Sequence, residues 1–98
     1  RVVILTFTEC GRTLEAKGSR GTDHGTAYPV FAIGERIRGG LFGEHPSLRA
    51  SALDRYGDPV ATSDFRCVYA TLLRRVLGAD DVALLGADFF DPALDFTL

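Results

Sequence analysis

Arg1-Val2-Val3-Ile4-Leu5-Thr6-Phe7-Thr8 is a β-branched, continuously apolar run. It does not alternate apolar with polar residues, so both of its faces are expected to be buried. That is the pattern of a central strand in a sheet covered by helices, and it predicts an α/β fold. Glu9-Cys10-Gly11-Arg12 ends the strand with polar residues and a turn-permitting glycine.

Downstream, residues 11–28 are polar and glycine-rich, with room for a short helical turn around Thr13–Lys17 but for no crossover helix. Pro29-Val30-Phe31-Ala32-Ile33-Gly34 then reads as a second short strand bounded by Pro and Gly. A parallel return needs a crossover, usually helical. Antiparallel pairing is therefore the preferred reading, and it brings the end of strand one and the start of strand two to one edge of the sheet.

Gly39-Gly40-Leu41-Phe42-Gly43 reads as a turn into a short extended piece, and residues 44–60 as irregular, with one or two helical turns in Ser47–Tyr56. The clearest helix follows. Thr62 or Ser63 suits its N-cap, and Asp64 stands in the first turn, where the dipole favours it. Phe65, Val68, Tyr69, Leu72, Leu73, Val76 and Leu77 make one wide apolar face, read as core. Arg74 and Arg75 fall in the last turn and Gly78 ends it. Asp80 to Gly86 suggests a brief second helix, and Asp88 to Leu98 an irregular tail.

The 98 residues leave room for one domain at most, and 46 % hydrophobic with 24 % charged is an ordinary globular balance. Eleven basic and thirteen acidic residues are mixed along the chain. No basic stripe exists to neutralise a phosphate backbone, which argues against general nucleic-acid binding. No apolar run approaches the ~20 residues of a membrane helix. Two cysteines, Cys10 and Cys67, are too few for a disulfide scaffold, and one bridge or two free thiols both remain open. There is no Met, and the chain opens on Arg1 inside an apolar run. The expectation is that residues 1–98 are the C-terminal fragment of a single larger domain whose N-terminal part is absent. Expressed alone, such a piece would expose a sheet edge and an apolar patch, and self-associate.

In open α/β sheets ligands bind outside the carboxyl ends of strands. Glu9 follows strand one, and Asp23-His24-Gly25 precede strand two. At a shared edge, Glu9, Asp23 and His24 form a donor set suited to Zn²⁺ or Mn²⁺. The plainer alternatives are that Glu9 caps a local N–H and Asp23 stabilises an Asx turn. Arg12 and Arg20 flank the same loop and suit bidentate binding of an oxyanion, although loop arginines are commonly just solvated. His45 reads as a surface histidine, and both cysteines as packing residues. No glycine run matches a P-loop or dinucleotide fingerprint, and there is no G-x-S-x-G elbow.

The order of the pieces carries a resemblance. Thr8-Glu9-Cys10-Gly11-Arg12-Thr13 is followed by Gly21-Thr22-Asp23-His24-Gly25-Thr26-Ala27 and by Pro29 to Gly34. Then come Gly39 to Gly43, and Thr62-Ser63-Asp64-Phe65-Arg66-Cys67-Val68-Tyr69-Ala70. As a set, these motifs resemble the C-terminal segment of a large bacterial family of unknown function, DUF1501, in the alkaline-phosphatase-like or sulfatase-like superfamily. The resemblance implies part of an alkaline-phosphatase-like α/β/α sandwich, with a buried strand, an antiparallel short strand and a long amphipathic helix.

It also implies a metal-dependent hydrolase of small-molecule phosphate or sulfate esters, with a divalent metal at strand ends. By position, Glu9 resembles the first acid of the superfamily's Asp-His pair, and His24 its later His. Cys10 stands where that pair's His is expected, and where family members usually carry Phe. The superfamily nucleophile lies early in the domain, outside these residues. The alternative is a non-catalytic exported protein that keeps the fold for binding or structure, with a degenerate metal site. Relatives' twin-arginine signals imply export to the periplasm.

Overall fold

The computed structural model describes residues 2–98, and Arg1, the first residue of the expected opening strand, lies outside them. The fold is mixed α/β, with short strands and one twelve-residue helical run. Contacts divide the chain into two units. The first is built from residues 2–4, 32–44 and 63–98, the second from residues 5–31 and 45–62.

The first unit carries most of β1 (Val3–Leu5), and β4 (Ala32–Gly34), which pairs with it. Gly34 lies against Val2 and Val3, while Thr6 N–H donates to the Phe31 carbonyl at 3.0 Å. Sequence positions therefore run in opposite directions along the pair, which makes it antiparallel. The strand is shorter than its sequence suggests. Three residues of β4 are all the partner it has among the described residues, and Ile4 and Ile33 remain 56 % and 60 % exposed. Residues 3 and 5 are half-buried and residue 4 is exposed, so the two faces differ although the sequence does not.

Asp64, not Thr62 or Ser63, caps α1 (Phe65–Thr71). Its carboxylate accepts the Arg66 N–H at 2.9 Å and pairs with the Arg66 guanidinium at 2.6 Å. Asp does this readily from a β-region backbone, because its short side chain reaches the second helical N–H. The helix then widens into a π-helical stretch, Leu72–Val76, where Leu77 N–H reaches the Leu72 carbonyl five residues back. Gly78 follows with φ +62°. Ala70 and Thr71 are fully buried, whereas the stripe expected to be core is half-buried at Val68, Tyr69, Leu72, Leu73 and Val76 and exposed at Phe65 (54 %) and Leu77 (71 %), because the elements packed on α1 are short.

Two elements pack on α1: α2 (Asp81–Leu85), and a 3₁₀ turn, Pro92–Leu94. Asp80 caps α2 by accepting from Ala83 N–H, and Gly86 (φ +83°) closes it. Arg74 and Arg75, adjacent in the π-helical stretch, hold different segments. Arg74 forks onto buried Asp81 at 2.9 and 3.0 Å and reaches Asp88 at 3.0 Å. Arg75 pairs with Asp95 at 3.2 Å. The tail is irregular apart from the 3₁₀ turn and one bridge, but it is tied down: Thr97 bridges Ile37, Leu98 N–H donates to Arg36, and Arg38 N–H to the Phe96 carbonyl. Phe96 is buried 6.4 Å from the Phe42 ring centroid.

The second unit contains β2 (Gly11–Arg12) and β3 (His24–Gly25), an antiparallel hairpin within the stretch expected to be loop. It also contains a 3₁₀ turn, Ala50–Ala52, inside the segment expected to hold a helical turn. Thr26 Oγ1 donates to the Pro59 carbonyl at 2.7 Å, tying residues 26 and 59 together. Asp54 organises the loop after the 3₁₀ turn by accepting the N–H groups of Tyr56 and Asp58.

Candidate functional site

Gly11 faces Gly25 across the hairpin, and Arg12 faces His24. The two glycines let the strands close up. A methyl group on Gly25 would stand 2.5 Å from the Arg12 carbonyl, and one on Gly11 would run into the Ala27 backbone. Beyond the ladder the hairpin continues through Thr13, whose N–H donates to the Asp23 carbonyl and whose hydroxyl accepts the Asp23 N–H, both at 3.0 Å. It turns at residues 17–21, where Arg20 N–H donates to Lys17 and Lys17 N–H to Gly21. Arg20 (φ 68°) and Gly21 (φ 71°) both take the left-handed conformation that reverses the chain.

Directly opposed residues in an antiparallel pair share a face of the ribbon. Arg12 and His24 are therefore neighbours on one face. Asp23 sits beside them, its Oδ1 accepting the His24 N–H at 2.8 Å. That hydrogen bond, with the charges of Lys17, His24 and Arg12, holds the Asp23 carboxyl below the usual carboxylate range. The Arg12 guanidinium is fixed by Thr22: Nε donates to Thr22 Oγ1 at 2.9 Å, and Nη2 donates to the Thr22 carbonyl.

Of the residues expected from sequence, the hairpin brings Arg12, Asp23 and His24 together and places Arg20 at its far tip. Glu9 is exposed, two residues before β2, and no hydrogen bond or ion pair joins it to Asp23 or His24 among the described residues. His45 is exposed, its Nδ1 hydrogen-bonded to the Pro46 carbonyl at 2.7 Å. Cys10 and Cys67 are free thiols, and burial pushes that of Cys67 up. Among the described residues, no three His, Cys, Asp or Glu side chains assemble into a group that could hold a metal ion. This hairpin offers two metal donors, Asp23 and His24, which do not make a complete centre. Thr22 escaped the sequence reading, and its only signal was its place one residue before Asp23.

The family model described as "Protein of unknown function (DUF1501)" matches residues 1–85. No curated protein and no solved structure matches the chain. No helix among the described residues is long and apolar enough to cross a membrane.

Proposed function

Since the chain belongs to the DUF1501 family, whose function is unknown, we propose that it forms one rim of a site that handles a phosphate or sulfate ester. The setting we propose is an alkaline-phosphatase-like α/β/α sandwich in an exported protein. The observation that supports this reading is the register of β2 and β3, which sets a guanidinium, an imidazole and a carboxylate side by side on one hairpin. Arg12 takes an ester oxyanion through the guanidinium hydrogen bonds that no ion pair among the described residues occupies. Asp23 and His24 are oxygen and nitrogen donors of the kind Zn²⁺ and Mn²⁺ accept. Glu9 and Arg20 are the less favoured members of the set, one upstream of the ladder and the other at the tip.

The reading is tested by adding Zn²⁺ or Mn²⁺ to the protein at its full natural length and measuring bound metal and phosphatase and sulfatase activity, before and after His24→Ala and Arg12→Ala. The expected result is loss of metal in the first variant and of ester turnover in both. Equal metal content and equal turnover in all three proteins would remove it.

A second reading starts from the resemblance, in which Cys10 stands at the position expected for His in the superfamily's metal-binding pair. In that reading the hairpin binds an anionic glycan or envelope component without turning it over. A metal-free protein that binds such an anion and shows no esterase activity would select it.

A further inference from the structure

An arginine on a two-residue strand has four rotatable bonds, and holding it in one pose for a ligand costs side-chain freedom. Arg12 has already lost that freedom. Its Nε is anchored at 2.9 Å on the Thr22 hydroxyl and its Nη2 on the carbonyl of the same residue, ten positions along the chain. A planar guanidinium held on those two nitrogens presents its remaining nitrogen, Nη1, in a fixed direction. No carboxylate is within ion-pair distance of Arg12 among the described residues. Thr22 itself is half-buried and stands immediately before Asp23 and His24.

We infer that Thr22 is a positioning residue. It pre-orients Arg12 so that the Arg12–His24 face of the hairpin recognises a tetrahedral oxyanion of the phosphate or sulfate class. This rests on the proposed function above and goes further, by naming what makes Arg12 selective for that geometry. The hydroxyl matters because it accepts from Nε. The Thr22 carbonyl alone leaves the guanidinium free to rotate about its Nη2 contact. Thr22→Val keeps the shape and the carbonyl and deletes the acceptor, whereas Thr22→Ser keeps the acceptor.

The test is a calorimetric titration of the full chain with inorganic phosphate and with sulfate at low ionic strength. It is accompanied by NMR observation of the Arg12 Nε–H signal and by urea unfolding. The expected result is anion binding by the wild type, binding weakened about five- to tenfold in Thr22→Val, and near wild-type binding in Thr22→Ser. The Nε–H signal is sharp and slow to exchange in the wild type and in Thr22→Ser, and exchange-broadened in Thr22→Val. Unchanged urea midpoints show that the loss is one of orientation rather than of folding. Wild-type binding that Thr22→Val leaves intact would overturn the inference while sparing the proposed function. Absence of phosphate and sulfate binding in the wild type would overturn both. A Thr22→Val variant that unfolds earlier, while its folded fraction keeps a protected Nε–H, would also overturn the role given to the hydroxyl.

Discussion

Replacing Gly25 by Ala should open the β2–β3 hairpin, while the same change at Gly18 should do the opposite. At Gly25 the added methyl would stand 2.5 Å from both the carbonyl carbon and oxygen of Arg12, and 2.9 Å from Thr13 nitrogen. Real Cβ atoms essentially never come closer than 3.0 Å. All three obstacles are backbone atoms that cannot swing aside, so the strands must part by about half an ångström, and overpacking of this kind costs about 1–3 kcal/mol. The ladder holds only two residue pairs, so little else keeps it in register. At Gly18 nothing lies within 4 Å of the added methyl. Ala there narrows the unfolded ensemble and stabilises by about 0.4–1 kcal/mol. The two variants should therefore differ by about 1.5–4 kcal/mol. In urea, with a slope of about 1–3 kcal/mol per molar, this separates their midpoints by roughly 1 M. Equal midpoints, or Gly25→Ala as the more stable protein, would refute the close approach of the two strands.

The carboxyls of Asp64, Asp81 and Asp95 are held below the ordinary range, chiefly by hydrogen bonds from Arg66, Arg74 and the Thr97 hydroxyl respectively. Their contribution is full above the unfolded-state value of about 4 and is lost as pH falls through the folded values, so stability should drop below about pH 4. Asp95→Asn should flatten that drop in acid unfolding curves. Arg74→Met leaves Asp81, only 4 % exposed, without its forked partner. The urea midpoint should fall, and Arg74→Met/Asp81→Leu should recover part of the loss, since replacing both charges relieves what removing one creates. In a Cys10→Ser variant, Cys67 should react with a thiol reagent at pH 8 more slowly than free cysteine does, and at the free rate in urea, because burial raises its pKa in the folded protein.

The helix was legible because its signal is local and repeated. Phe65 to Val76 carry the apolar spacing, and the ends are marked by an acidic residue and by Gly78. Its π-helical interior was not legible, since Leu72-Leu73-Arg74-Arg75-Val76 has no residue that announces a wider turn. The hairpin was missed for a different reason. Strand signals are side-chain signals, and a pair built on Gly11 and Gly25 works by having no side chains between the backbones. The apolar opening run predicts burial on both faces. In the structure Val2 and Ile4 are exposed, because burial depends on what lies across the sheet, and the sequence of one strand does not contain that. At the candidate site, Asp23 and His24 were visible as residue types. The partner of His24 came from the register, which set Arg12 opposite it in place of Glu9.

The wide turn at Leu72–Val76 has a consequence for how length can vary here. Each residue of an α-helix advances the next by about 100°, so Arg74 and Arg75 leave the helix in directions set by how many residues precede them. Excising one residue between Leu72 and Arg74 would restore ordinary α-helical winding, at the expense of swinging both guanidinium groups away from Asp81 and Asp95. Related chains should therefore tolerate substitutions in this stretch far better than gaps, and any gap should be matched by altered acids at the positions of Asp81, Asp88 and Asp95.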